Sequence, residues 1–177
     1  MTEKQQNIVN VALELFAEDG VDATSTSKIA KAAGVSEGLI FRHFTNKAGL
    51  LEAILTSGME KAEAYFHQVI SEEDSEERIR KALSLPFQID EEEYSFWRLV
   101  YTLKWQKGSI QTEGMEEFRV SLAEAFEELN YPNPSAEARL VESIIDGVAT
   151  EILLKDIHPT PLLECILEKY KLNKRKK

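Results

Sequence analysis

The sequence predicts an all-α protein with a small N-terminal helical domain and a larger C-terminal one. Three observations carry that reading. Apolar residues recur at helical spacing along most of the chain. Eight glycines and five prolines in 177 residues are too few to punctuate many short strands. Where they do occur, several fall at the ends of periodic segments, where helix caps belong.

The first element opens at Thr2, which forms a capping box with Gln5. Ile8, Val11, Ala12, Leu15 and Phe16 then lie on one helical face, and Gly20 ends the helix. A second helix runs from about Thr26 to Ala33, capped by Ser25, with Ile29, Ala30 and Ala33 turned inward. Gly34 supplies the positive φ of the next turn and Val35 plugs it. Ser36 caps a third helix through about Phe44, with Ile40 and Phe44 inward. Asn46 caps a long fourth helix carrying Leu50, Leu51, Ile54 and Leu55.

Beyond residue 60 the pattern stays helical. The acidic run over residues 71–77 reads as a solvated break. A short helix from Arg78 to about Leu85 ends at Pro86. Asp90 and Glu93 open an aromatic helix with Phe96, Trp97, Tyr101 and Trp105, closed by Gly108. Another helix covers about Thr112 to Leu129. Asn133 before Pro134 and Thr160 before Pro161 each place a capping side chain ahead of a proline at the first helical position. The resulting helices carry Leu140, Val141, Ile144, Ile145, Val148, Ala149, Ile152 and Leu153, then Leu162, Leu163, Ile166, Leu167 and Tyr170. The domain division expected from this pattern is 1–60 and 61–177.

The charge pattern bears on function. The chain carries 21 basic and 31 acidic residues, a net charge of −10. Such a balance disfavours a nucleic-acid binder unless the acid lies elsewhere. It does: residues 1–50 hold five Lys/Arg and six Asp/Glu, so the excess acid falls in the remainder. Phosphate binding needs local positive charge, not a basic whole chain. No apolar run approaches a bilayer span and the N-terminus has no signal-peptide character, which points to the cytoplasm and no membrane partner. Cys165, the one cysteine, has apolar neighbours and reads as a buried thiol.

The stretch from about residue 25 to 44 is the informative one. Two short helices join through Ala33-Gly34-Val35-Ser36. Small Ala30 and Ala33 let them cross closely, the logic of a helix-turn-helix whose second helix enters a major groove. Lys47 adds to this. A cation in a helix's first turn opposes the macrodipole by about 0.3–1 kcal/mol at an exposed site. A phosphate at that helix end would reverse the sign.

These residues resemble the TetR/AcrR family of bacterial regulators. The match runs from Leu15-Phe16 to Gly20, through Ile29 to Ser36, and on to Gly38, His43, Phe44, Lys47, Leu50 and Leu51. It covers about the first 55 residues; beyond them the chain matches in length and helical pattern. The resemblance implies a sequence-specific, homodimeric repressor of transcription that is released by a small-molecule inducer. It implies a DNA-binding set of Thr26, Ser36, Glu37, Gly38, Leu39, Phe41, Arg42, His43 and Lys47, with Thr26 and Lys47 on phosphates. The chain departs from the family at Phe41, where tyrosine is usual, and loses a hydroxyl that commonly bonds phosphate. Glu37 stands where a basic or polar residue is common. It suits either a cytosine N4 contact or a charge that caps the helix dipole.

The same resemblance places dimerisation on the last two helices. Val141, Ile145, Val148 and Ile152 follow the spacing of near-parallel packing, and Leu163, Ile166 and Tyr170 extend the face. Trp97, Tyr101 and Trp105 fit either a plain core or a cavity for a small apolar or amphipathic ligand. The expected partners are thus a near-palindromic duplex, a second copy and that ligand. No cofactor, metal or catalytic residue is expected. Glu63 and His67 share a helix face, but no second such pair exists for a di-metal site. A helical protein-binding adaptor is the alternative, and an enzyme ranks behind it: the chain has neither a phosphate loop nor a nucleophile elbow.

Overall fold

Capping chemistry sets the first helix. In a computed structural model, which describes residues 1–107, 113–155, 157 and 160–172, the Thr2 hydroxyl accepts the Gln5 N–H at 3.3 Å. The Gln5 side-chain carbonyl accepts the Thr2 N–H at 2.7 Å. Helix α1 spans Glu3–Asp19 and ends at Gly20, whose φ of 85° and ψ of 154° suit only glycine. Ile8, Ala12 and Phe16 are buried as expected, and Val9 joins them, whereas Val11 and Leu15 are half-buried. The face is broader than one stripe because α1 packs against both α2 (Thr26–Ala33) and α6 (Tyr94–Lys107).

Helix α2 is capped by Ser25, whose Oγ accepts from the Lys28 N–H at 3.1 Å. Gly34 adopts φ 67° and ψ 32°, and the Val35 N–H closes the turn on the Ala30 carbonyl at 3.0 Å. Helix α3 follows over Glu37–Phe44. Ser36 occupies its cap position, but its hydroxyl makes no capping bond, contrary to expectation. The Leu39 N–H that it would serve is taken by the carbonyl of Ser36 itself, at 3.0 Å. Thr45 then takes φ 66° and ψ −49°, and the Asn46 N–H bonds the Phe44 carbonyl at 2.7 Å. This is the γ-turn with a positive central φ, a strained shape for a β-branched residue. Asn46 caps α4 (Lys47–Ile70) through Gly49, at 2.9 Å.

Helix α5 covers Ser75–Ser84, starting three residues before the expected Arg78. The acidic run is not all break: Asp74 accepts the Glu77 N–H at 2.8 Å, and Glu76 and Glu77 favour the positive end of the new helix. Two 3-10 turns, Leu85–Gln88 and Glu91–Glu93, lead into α6. The expected stop at Gly108 lies outside the described residues. Helix α7 covers Glu113–Glu128, α8 covers Pro134–Lys155 and α9 covers Thr160–Lys169. Asn133 caps α8 at the Ala136 N–H, 3.3 Å away. There is no strand among the described residues.

The chain packs as two units. One contains Met1–Lys61 together with α6 and the 3-10 turn before it. The sequence division at residue 60 puts α6 on the other side. Two residues explain the grouping: Leu99 and Leu103 of α6 are buried in the same core as Ile8, Phe16, Ile29, Ile40, Leu50 and Ile54. Gly58 serves that packing, since a Cβ there would fall inside the ring of Phe96. The other unit contains Ala62–Asp90 and the elements from α7 onward. Phe118, Leu122, Phe126, Val141, Val148, Ile152 and Leu153 are buried in it. The Arg119 guanidinium donates from Nε to both oxygens of Glu142, at 2.9 and 3.0 Å, joining α7 to α8.

Candidate nucleic-acid interface

Helices α2 and α3 cross with Ile29, Ala30, Ile40 and Phe44 buried between them and α1. That fixes which side of α3 looks outward. Ser36, Gly38, Phe41 and Arg42 are exposed, with Phe41 at 46%, and Leu39 is half-buried against the core. Gly38 is informative here. Its φ is not left-handed, and a Cβ would meet nothing within 4 Å. The fold therefore has no need of glycine there, although glycine weakens a helix by up to about 1 kcal/mol against alanine. The space it leaves is open to a partner outside the chain.

His43 sits half-buried at the end of α3, its Nδ1 3.3 Å from the Gln5 Nε2. The Gln5 carbonyl oxygen is already committed to the Thr2 N–H. The amide nitrogen therefore donates to Nδ1, and a neutral ring carries its proton on Nε2. The capping box of α1 thus orients a ring donor at the end of α3.

Thr26 and Glu37 meet. The Thr26 hydroxyl, at the first position of α2, donates to Glu37 Oε1 at 2.5 Å, at the first position of α3. Lys47 has an intrachain role too. Its ammonium donates to the carbonyls of Val21 at 2.7 Å, Thr24 at 3.1 Å and Asp22 at 3.4 Å. An ammonium has three N–H groups, so all three have acceptors. Carbonyls of the chain itself, rather than a phosphate, thus offset the unfavourable macrodipole at Lys47.

Residues 8–54 match the family model described as bacterial regulatory proteins, tetR family. The N-terminal segment is thus similar to the DNA-binding part of that family. Over 52 residues it is 50% identical to the HTH-type transcriptional regulator AcrR of Shigella flexneri, a match covering 29% of this chain and 24% of that protein. The match thus spans about a quarter of that relative's length. Over the whole fold it resembles a crystal structure of a TetR-family regulator from Rhodococcus sp., with a TM-score of 0.71, 20% identity, and 94% and 96% of the two chains covered. It also resembles AibR in complex with isovaleryl coenzyme A and operator DNA, with a TM-score of 0.66, 20% identity, and 84% and 86% covered. Together these establish an N-terminal helix-turn-helix joined to a helical C-terminal part.

The remaining expected sites lie in the C-terminal elements and in α6. Val141, Val148, Ile152 and Ile166 are 0, 5, 4 and 6% exposed, buried in their own unit. The Tyr170 ring lies tilted against that of Phe126, 5.9 Å between centres, and its hydroxyl reaches Glu137 at 3.5 Å. Its phenol is pushed up to about 12, by burial first and then by the Glu137 charge. These residues hold α8 and α9 to their own core. The opposite side of α8 is the open one: Leu140 and Leu154 are 51 and 39% exposed, with exposed Ser143 and Gly147 between them. Ile145 and Leu163 are half-buried. Cys165 is exposed, not buried, because the buried side of α9 is set by Ile166 and its neighbours one residue round the helix.

The aromatic stripe is split. Tyr101 is 8% exposed, Trp97 packs edge-on against Phe96 at 5.3 Å, and Trp105 is 59% exposed. The Lys104 ammonium lies 5.6 Å from the Tyr101 ring centre and 6.0 Å from that of Trp105. Thr24 was not singled out by the sequence. It is fully buried, and its hydroxyl donates its one proton to the Gly20 carbonyl at 2.9 Å, with the Leu15 carbonyl 3.2 Å away. Its one signal was the surplus of hydroxyls over residues 24–27, of which only one can cap.

Proposed function

We propose that this chain is a sequence-specific DNA-binding transcriptional regulator acting as a homodimer in the cytoplasm, a repressor released by a small-molecule inducer. The observation that carries the reading is the outward face of α3. Gly38, Phe41 and Arg42 are exposed there on a helix held rigidly from behind, and the glycine leaves room that the chain itself does not use. Ser36, Leu39 and the Nε2 donor of His43 complete a surface suited to base edges and phosphates. The reading head comprises residues 1–60, and residues 61–177 supply the effector and dimer functions, with α6 packed into the unit of the head. The second copy docks on the α8 stripe of Leu140, Ser143, Gly147 and Leu154, whose small residues let helices approach closely. The inducer reading draws on AibR, whose structure holds both isovaleryl coenzyme A and operator DNA. The stripe of Trp97, Tyr101 and Trp105, with Trp105 exposed and the Lys104 ammonium beside it, offers apolar and cationic surface to such a ligand.

Selection from random duplexes, followed by anisotropy titration at several salt concentrations, tests the reading. A near-palindromic site should emerge, and affinity should fall with a log–log slope of about −0.9 per phosphate neutralised. Enrichment of nothing, even at low salt, would overturn it.

A further inference from the structure

Glu37 places a carboxylate on the face that is to meet a polyanion. It is half-buried, with Oε1 2.5 Å from the Thr26 hydroxyl. Both residues occupy first positions of their helices, so the carboxylate lies where the positive ends of α2 and α3 favour it. The arrangement is self-satisfied without DNA, and a threonine hydroxyl has one proton to give. A phosphate that takes the Thr26 proton must displace Glu37, because two anions sharing one donor would repel at close range. The displaced carboxylate then needs a new donor. In the major groove, cytosine offers one at N4.

We propose that Glu37 is a specificity-determining residue that acts as a brake on indiscriminate binding. Engagement of the backbone at Thr26 releases Glu37, and a cytosine within its reach re-satisfies it. A duplex without that cytosine leaves the carboxylate facing the groove unpaired. Glu37 thereby opposes non-specific DNA more than the operator, which is specificity by repulsion as much as by attraction. The inference rests on the DNA-reading function proposed above, and the two fail in different ways.

The test uses the full chain and three variants, Glu37→Ala, Thr26→Val and the double substitution, titrated against a random-sequence duplex and a selected one. Glu37→Ala should bind the random duplex about tenfold more tightly, the order expected when one charge-assisted hydrogen bond no longer has to be exchanged. In the Thr26→Val background that gain should shrink, since no proton is contested and only the repulsion of the unpaired carboxylate remains. Selection with Glu37→Ala should lose a cytosine preference at one position per half-site. Unchanged or weaker binding by Glu37→Ala overturns the proposal, as does a gain of undiminished size in the Thr26→Val background or a cytosine preference that survives. If Glu37→Ala fails to fold, Glu37→Gln is read in its place against the same outcomes. If the parent chain binds no duplex, the DNA-reading function falls and takes this inference with it. If the parent binds and the cycle shows no coupling, only the brake falls.

Discussion

Replacing Lys47 with methionine separates two roles for that lysine by the sign of its effect on stability. In the free protein the ammonium closes the α1–α2 connection, holding the carbonyls of Val21, Thr24 and Asp22. A hydrogen bond to a charged group contributes about 1.5–3 kcal/mol net. The 3.4 Å bond is weak and Lys47 is half-exposed, so water would recover part of the loss; a figure near the lower end, about 1.5 kcal/mol, fits. Methionine also relieves the cation at the head of α4, returning about 0.5 kcal/mol. The balance is a destabilisation of about 1 kcal/mol, which for a chain of this size lowers Tm by roughly 2–4 °C. If Lys47 served phosphate alone, Lys47→Met would instead make the free protein slightly more stable. Urea unfolding, with amide exchange read over residues 21–25, distinguishes the two. A variant as stable as its parent, with unchanged exchange in that loop, would refute the clamp. Weakened DNA binding is expected on either account and does not discriminate.

Three further outcomes are expected. Gly38→Ala should stabilise the free protein by about 0.5–1 kcal/mol through helix propensity and still weaken operator binding in anisotropy titrations; an unchanged affinity would mean that the open space at Gly38 serves no partner. Leu140→Glu combined with Leu154→Glu should yield a folded monomer by sedimentation, because both side chains are already exposed in one copy, whereas Val141→Glu should unfold the protein; a double variant that remains dimeric would move the interface elsewhere. Tyr170 supplies a pH signature. Its neutral phenol is the form that the fold favours, so its contribution is whole below the unfolded value of about 10 and is lost as pH rises through about 12. Tyr170→Phe should therefore show a smaller drop in urea midpoint between about pH 9 and 11.5 than its parent; equal drops would show that Tyr170 does not titrate in that range.

The sequence made local features legible and left distant ones hidden. The Thr2–Gln5 box, the Ser25 and Asn46 caps and Gly34 are settled by residues three or four apart, and all formed as their spacing implied. The outward face of α3 was legible for the same reason: Ile40 and Phe44 fix it. The intrachain role of Lys47 was hidden because its acceptors lie 23–26 residues away, in a loop whose path no periodicity describes. Helix α8 was ambiguous in another way. Apolar residues ring most of it, so spacing gives two stripes without saying which one its own chain covers. The more β-branched stripe of Val141, Val148 and Ile152 went to the core, and the small, sparser one stayed open. The Ser36 cap failed on a single backbone bond, a choice between two acceptors of the same residue.

Leu99 and Leu103 set a limit on modularity. The segment resembling curated relatives lies at the N-terminus, and its core is completed from α6, about ninety residues further on. A chimera that grafts residues 1–61 onto another effector part would leave Ile8, Phe16 and their neighbours without those two leucines, and Gly58 without the ring it was shaped for. Exchangeable heads in this protein should therefore be cut in two pieces, with α6 travelling alongside α1 to α4. Substitutions at 96, 99 and 103 likewise answer to α1 and α4. A graft that carried those three side chains over should fold where the simple cut does not.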